Sequence, residues 1–341
     1  MSILFPSPIF GPIKSRRLGI SLGINLMPAD GKLCTFDCIY CECGLNVNCR
    51  TQTKRPTREA VKEALEAQLQ QMRDKGEVPN VLTFAGNGEP TAHPDFEGII
   101  DDTIVLRDTY FPEAKVSVLS NATMLHRPQV VAALRKVDNN ILKLDTVSND
   151  YIHRVDCPAP SYDVARIIDQ LCAFEGKLII QTLFMKGTHN GLSVDNTGDA
   201  YVTPWLEALQ RIHPEQVMIY TIDRATPVAG LEKATPDELN AIDAEAGRRG
   251  IKQKILLRLT PGIDPHTHAK INTGRIDSKF GAAIETGQAE ELVVMALGKA
   301  NVEVCGYHCH IGSQIFEHDP FCDAAVLMLK FIAQIRAKHG Y

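Results

Sequence analysis

CTFDCIYCEC, residues 34–43, places four cysteines in ten positions, and Cys49 follows closely. Half of the chain's 10 cysteines therefore lie between residues 34 and 49. A disulfide knot, a zinc site and a redox cluster all use closely spaced thiols. The amino-terminal stretch MSILFPSPIFGPIKSRRLG does not read as a signal peptide: Pro6, Pro8 and Pro12 break its apolar run, and its charges come after that run. No apolar run approaches the roughly 20 residues of a membrane helix. The expected location is the cytoplasm, with no membrane partner. Thiols stay reduced there, so the cluster points to metal or catalysis rather than to disulfides.

Working outward, the stretch sits in a regular alternation. GISLGINL (19–26) reads as a buried strand, and TREAVKEALEAQLQQMRDKG (57–76) as a threonine-capped helix with apolar spacing near 3.6. The pattern repeats as strand 80–85 and helix 95–108, strand 115–120 and helix 127–137, strand 140–145 and helix 161–176. Strand 177–184 with helix 203–212 and strand 216–222 with helix 235–250 complete it. Six β/α units with nearly continuous apolar strands predict an α/β fold, a parallel sheet covered by helices. The 341 residues, 44% hydrophobic and 23% charged, allow a sizeable core in one large domain or two. Net charge is −5, so no global basic field advertises nucleic acid. The first 60 residues differ locally. Lys14, Arg16, Arg17, Lys32, Arg50, Lys54, Arg55 and Arg58 face four acids there, which suits either a phosphate surface or a solvated face.

Cys34, Cys38 and Cys41 form C-x3-C-x2-C directly after the first strand. Ligands of β/α barrels gather at the carboxyl ends of strands. A three-cysteine loop there can hold three irons of a four-iron cluster and leave the fourth open. Zinc is the competing ligand, because Cys43 and Cys49 add donors; a zinc knuckle, however, wants a second ligand pair at a defined distance. The motif, with Tyr40 before its last cysteine, resembles that of the radical S-adenosylmethionine (radical SAM) superfamily. The resemblance implies a (β/α)6 partial TIM barrel and a 4Fe-4S cluster on Cys34, Cys38 and Cys41. It also implies S-adenosylmethionine on the open iron and its reductive cleavage to a 5′-deoxyadenosyl radical. A donor such as flavodoxin or ferredoxin would supply the electron.

TFAGNGEPTAHP follows the second strand. It resembles the superfamily's Gly-Gly-Glu-Pro segment, which implies that Gly86, Asn87, Gly88 and Glu89 hold the methionine amino group. Asn87 replaces the first glycine of the pair. Glycines let backbone approach a ligand, and a carboxylate can pair with an ammonium; taken alone, the segment reads equally as a glycine turn. Polar residues end the later strands: Ser120 and Asn121, then Asp145 and Ser148, as cofactor or substrate contacts. Gln181, Tyr220, Asp223 and Arg224 lie farther on. Strand-end caps or salt bridges explain any one of them as well. Over about residues 9–250, FGPIKSRRLGISLGINLMP and YTIDRATP resemble the branch that includes wyosine-type tRNA-modifying enzymes. That implies tRNA or another nucleotide as a candidate substrate. Arg16 and Arg17 suit RNA phosphate, cofactor carboxylate or a barrel brace.

From about residue 252 a second resemblance begins. KILLRLTPGIDPHTHAKINTGRIDSKFG and GYHCHIGSQIF look like diaminopimelate decarboxylase, a pyridoxal-phosphate (PLP) enzyme with an alanine-racemase-like barrel. The resemblance implies that His310 stacks on the cofactor and Ser313 lies near its phosphate, as vestiges. The segment that supplies the Schiff-base lysine is absent, as are the later glycine-rich phosphate loop and the E-P-G-R-like segment. PLP binding and decarboxylation are therefore not expected. The expected domains are 1–250, the radical SAM barrel, and 251–341, a decarboxylase-type fragment. Six units plus two raise the expectation that strands 254–261 and 302–311 extend or close the first barrel; a poorly packed appendage is the alternative. Three whole-protein readings follow: a radical SAM enzyme, an incomplete PLP decarboxylase, and a zinc-stabilised RNA-binding module.

Overall fold

The computed structural model describes residues 3–15, 19–248, 253–263, 281–299, 302–309, 311 and 319–340. The chain forms two compact units, 1–242 and 243–341.

The first unit opens with a strand that the proline-rich sequence hides. β1 (Ile9–Ser15) runs antiparallel to β2 (Gly19–Ile24) and covers an edge of the sheet. A long loop carrying the cysteines leads to α1 (Arg58–Asp74), where the Thr57 side chain accepts from Ala60 N–H. Val61, Leu65, Leu69 and Met72 bury one face of α1, as the 3.6-residue spacing requires. β3 (Val81–Phe84), α2 (Phe96–Tyr110), β4 (Lys115–Ser120), α3 (Pro128–Leu134) and β5 (Asn139–Lys143) continue the alternation. Arg58 clamps α1 to α2 through Asp102, with both contacts below 3 Å: Nε–Oδ2 2.6 Å and Nη2–Oδ1 2.9 Å. Proline at the first position of α3 suits its entry, where the missing N–H is harmless.

A short helix, α4 (Asn149–Val155), then precedes α5 (Val164–Cys172) and β6 (Ile179–Leu183). β7 (Met185–His189) and β8 (Leu192–Ser193) form a hairpin before α6 (Asp199–Ile212), β9 (Gln216–Tyr220) and β10 (Leu231–Lys233). The main sheet has the order β1-β2-β3-β4-β5-β6-β9, and every pairing from β2 onward is parallel. These are the six expected parallel strands. A separate antiparallel sheet, β10-β7-β8, and α4 were not foreseen; their runs are too short to show a period.

α7 (Pro236–Arg248) carries residues of both units. β11 (Gln253–Thr260), β12 (Ala282–Ala283), α8 (Gln288–Leu297), β13 (Val302–Cys309) and α9 (Asp319–His339) follow. Among the described residues β11 and β13 do not join the first sheet. They pair with each other in parallel, with β12 on the far side of β11, as a sheet of three. The barrel is therefore not closed, and the six-plus-two expectation is corrected. The cause is local: β11 and β13 flank one crossover helix and share their own core. Leu257, Leu259, Val293, Phe331 and Ile335 lie buried in it. Among the described residues no helix is long and apolar enough to cross a membrane.

Candidate functional site

The cysteine loop is docked by main-chain bonds to its neighbours. Leu33 N–H donates to Asn87 C=O (2.9 Å), and Glu89 N–H donates to Leu33 C=O (3.3 Å). Farther along, Asp37 and Ile39 N–H donate to the Asp156 and Val155 carbonyls at the end of α4 (2.9 Å each). Gly88 explains one glycine of the GNGEP turn. Its φ is +147°, and a Cβ there would stand 1.9 Å from the Leu33 carbonyl oxygen. The close approach it permits is to the cysteine loop itself. Asn87 is wholly buried; its amide donates to Phe5 C=O and Pro28 C=O (2.8 Å each) and accepts from Phe5 N–H (2.8 Å). Asparagine in place of glycine thus ties the amino-terminal segment to the turn. Glu89 is buried and accepts from Thr91 N–H (3.0 Å), Thr91 hydroxyl (2.5 Å) and Asn121 N–H (2.7 Å). Burial raises its pKa against these bonds.

Two of the candidate residues, Asn121 and Asp145, meet the loop from the ends of later strands. Asn121 donates to Thr35 Oγ1 (2.8 Å) and reaches Cys34 Sγ at 3.7 Å. The Tyr40 hydroxyl stands 2.6 Å from Asp145 Oδ2 and 2.9 Å from Asp156 Oδ1. It has one proton to donate. It shares that proton between the two carboxyl groups, and burial and then the Asp145 charge raise Asp156 to about 6. Lys143 completes this buried group: its ammonium lies 2.7 Å from Asp145 Oδ2, 3.9 Å from Asp156 Oδ1 and 4.8 Å above the Tyr40 ring. Burial opposes the Lys143 charge, but Asp145, Tyr220 and Asp156 outweigh it and its pKa rises well above the usual value. Ser120 accepts from Ala122 N–H (3.1 Å), and Ser148 caps α4 by accepting from Tyr151 N–H (3.3 Å). Ser148 serves the helix by capping it. Arg16, Arg17, His310 and Ser313 lie outside the described residues.

The thiols occupy distinct electrostatic settings. Burial, then the Glu89 charge, pushes Cys34 up to about 12. Burial and Asp156 push Cys38 well above its usual value, and the Cys38 thiol donates to Asp156 Oδ1 at 3.2 Å. A hydrogen bond with the Cys43 thiol, aided by the Lys32 ammonium, brings Cys41 down to about 6, and Cys43 rises in exchange. Cys49 donates to Cys43 C=O at 3.2 Å. Among the described residues no three Cys, His, Asp or Glu side chains are already drawn in around a metal position. The donor chemistry nevertheless fits an iron–sulfur centre: Cys34, Cys38 and Cys41 share one loop, buried ammoniums stand on either side, and Asn121 donates toward sulfur.

Beside the loop opens a cavity of about 900 Å³. Leu119, Ile141, Leu183 and Met218 from the parallel strands give it an apolar wall. Gln181, Tyr220, Tyr40, Cys41 and Cys43 supply polar atoms, and Asp223, Arg224 and Lys233 stand at one side. Of the residues singled out from sequence, Tyr40, Cys41, Gln181, Tyr220, Asp223 and Arg224 line it; Cys34, Cys38, Gly86–Glu89, Ser120, Asn121, Asp145 and Ser148 do not. Sequence reasoning passed over Lys32, Lys143 and Asp156. Lys143 had a signal, being two residues before Asp145 and so on the same strand face. Lys32 was counted as one more surface cation, and Asp156 follows the unforeseen α4.

The partial barrel and its cysteine loop are similar to those of radical SAM proteins. The sequence profile of the radical SAM superfamily matches residues 30–189. The chain belongs to the UPF0026 family: it is 31% identical over 237 residues to the UPF0026 protein of Helicobacter pylori, covering 68% of this chain and 71% of that one. A radical SAM methyltransferase from Sphaerobacter thermophilus shares the fold, with a TM-score of 0.50 at 14% identity. The match covers 68% of this chain and 64% of that one. A different profile, the pyridoxal-binding domain of pyridoxal-dependent decarboxylases, matches residues 203–341. Diaminopimelate decarboxylase of Bacillus methanolicus is 52% identical over 104 residues, 30% of this chain and 24% of that enzyme. The chain thus spans about a quarter of that decarboxylase.

Proposed function

We propose that Cys34, Cys38 and Cys41 bind a 4Fe-4S cluster whose fourth iron takes S-adenosylmethionine, and that the chain uses it to modify a substrate held in the adjoining cavity. When bound and reduced, such a cluster supplies the electron that cleaves the sulfonium to a 5′-deoxyadenosyl radical. The observation that carries the reading is the docking of these three cysteines at the carboxyl end of the parallel sheet, with Cys41 on the cavity wall. Tyr40 turns its ring to the cavity and its hydroxyl to Asp145 and Asp156, so it shields the buried charges behind the loop. Gly86, Asn87, Gly88 and Glu89 set the turn against which the loop rests. The apolar wall keeps water from the space where a reactive species would form. Flavodoxin or ferredoxin fits as electron donor.

The substrate class we favour is a nucleotide unit, in tRNA or free. Support comes from the basic amino-terminal segment and from Arg55. Arg55 lies close enough to Arg127 to feel its charge, and its buried Nε has no hydrogen-bond partner among the described residues. Phosphate would satisfy both guanidinium groups. Anaerobic reconstitution with iron and sulfide tests the main reading. Four irons per chain and 5′-deoxyadenosine formation with a strong reductant are expected, both lost in Cys38→Ala. One tightly held zinc and no iron uptake would reject it in favour of a zinc-stabilised module.

A further inference from the structure

Lys32 has a setting that a surface cation never has. Its side chain is 1% exposed, and its ammonium donates to Gly44 C=O (2.8 Å) and Asp37 Oδ1 (3.1 Å). These partners, Asp37 beside Cys38 and Gly44 beyond Cys41, place the ammonium inside the cysteine loop, where its charge favours the Cys41 thiolate and acts on Cys34 and Cys38 as well. Asp37 keeps 29% of its side chain in solvent and has Asn46 N–H as a second donor (2.7 Å), so it compensates the ammonium only in part. Burying an ammonium is costly unless it is paired. An apolar side chain could brace this loop without that cost.

The charges around the thiols are otherwise acidic on the Cys34 side. Glu89 acts on Cys34, and Lys32 is the cation opposing it there. Asp156 touches Cys38, where Lys143 opposes it. Each thiol that becomes a thiolate adds negative charge to the loop, and an electron entering a cluster adds more. A fixed buried cation favours both changes, and low local polarity strengthens the effect.

We infer that Lys32 is a positioning residue for the iron–sulfur centre: its buried ammonium offsets the Cys34 and Cys41 thiolates and raises the centre's reduction potential. This rests on the reading of Cys34, Cys38 and Cys41 as iron ligands. The test uses the full chain, reconstituted anaerobically, as wild type, Lys32→Gln, Lys32→Arg and Cys38→Ala. Iron and sulfide per chain, midpoint potential and thermal unfolding are measured for each. Lys32→Gln is expected to shift the midpoint to more negative potential, with Lys32→Arg near wild type. Iron uptake by Lys32→Arg but not by Lys32→Gln, at equal folding, also supports the charge role. A Lys32→Gln protein with full iron and the wild-type potential overturns the inference and leaves the ligand reading intact. Failure of both variants to load or to fold overturns it too, because shape rather than charge is then what the loop needs. Absence of iron from the wild type removes the ligand reading itself, and the inference with it.

Discussion

At the scale of single residues, the site is built from conflicts that only the fold resolves. Gly88 is the sharpest, since both its backbone angle and the Leu33 carbonyl exclude a side chain. Gly88→Ala must push the cysteine loop off the turn. We expect a loss of roughly 2–4 kcal/mol in denaturant unfolding, from strained backbone plus overpacking. Iron uptake should fall with it, and a variant of wild-type stability would refute the docking account. Asn87 sits beside it for a related reason: its buried amide bonds three main-chain groups from two other segments. Lys143, Asp145 and Asp156 show the same logic with charge. Each would be costly alone, and together they satisfy one another around the Tyr40 hydroxyl.

Elements are held mostly by caps and by amphipathic faces. α7 begins with a reciprocal cap, in which Glu238 accepts from Thr235 N–H (2.7 Å) and Thr235 Oγ1 accepts from Glu238 N–H (3.2 Å). Lys186 of β7 adds an ion pair at 2.9 Å. The Thr235 backbone bond, then Lys186, holds the Glu238 carboxyl down at about 2. A depressed folded pKa means that this stabilisation is present above the unfolded value near 4.5 and is lost as pH falls toward 2. Glu238→Gln is therefore expected to melt below wild type at pH 7, with the gap closing between pH 4.5 and 2. A gap that is constant across that window would show that the charge is not involved. Thr57 and Asp163 cap α1 and α5 in the simpler way. The Thr57 cap was legible in sequence because it is local. β7, β8 and β10 were not, since a strand of two to five residues gains its identity from its partner rather than from its own pattern.

At the scale of the whole molecule, each of the two units buries apolar residues of its own. The one tryptophan, Trp205, is buried in the first unit, while Leu257, Leu259, Val293 and Phe331 build the second. Unfolding is expected to give two calorimetric transitions, with tryptophan fluorescence following one and backbone circular dichroism following both. A single transition with coincident probes would contradict this. The second unit supplies β/α units akin to part of a decarboxylase but no matched Schiff-base lysine segment. Pyridoxal phosphate is expected to leave no stoichiometric absorption band after desalting, and a retained band would revive the decarboxylase reading. What the sequence determined by itself follows from short range. The helix and strand periods, the six parallel β/α units, the cysteine spacing after the first parallel strand and the change of resemblance near residue 252 all lie within runs of neighbours. What only the tertiary structure decided depends on groups far apart in the chain. Strand pairing fixed the open barrel, because β11 found β13 within its own unit. Burial turned Lys32, Lys143 and Asp156 from unremarked charges into neighbours of the thiols, because a charge acquires its role from the atoms packed around it.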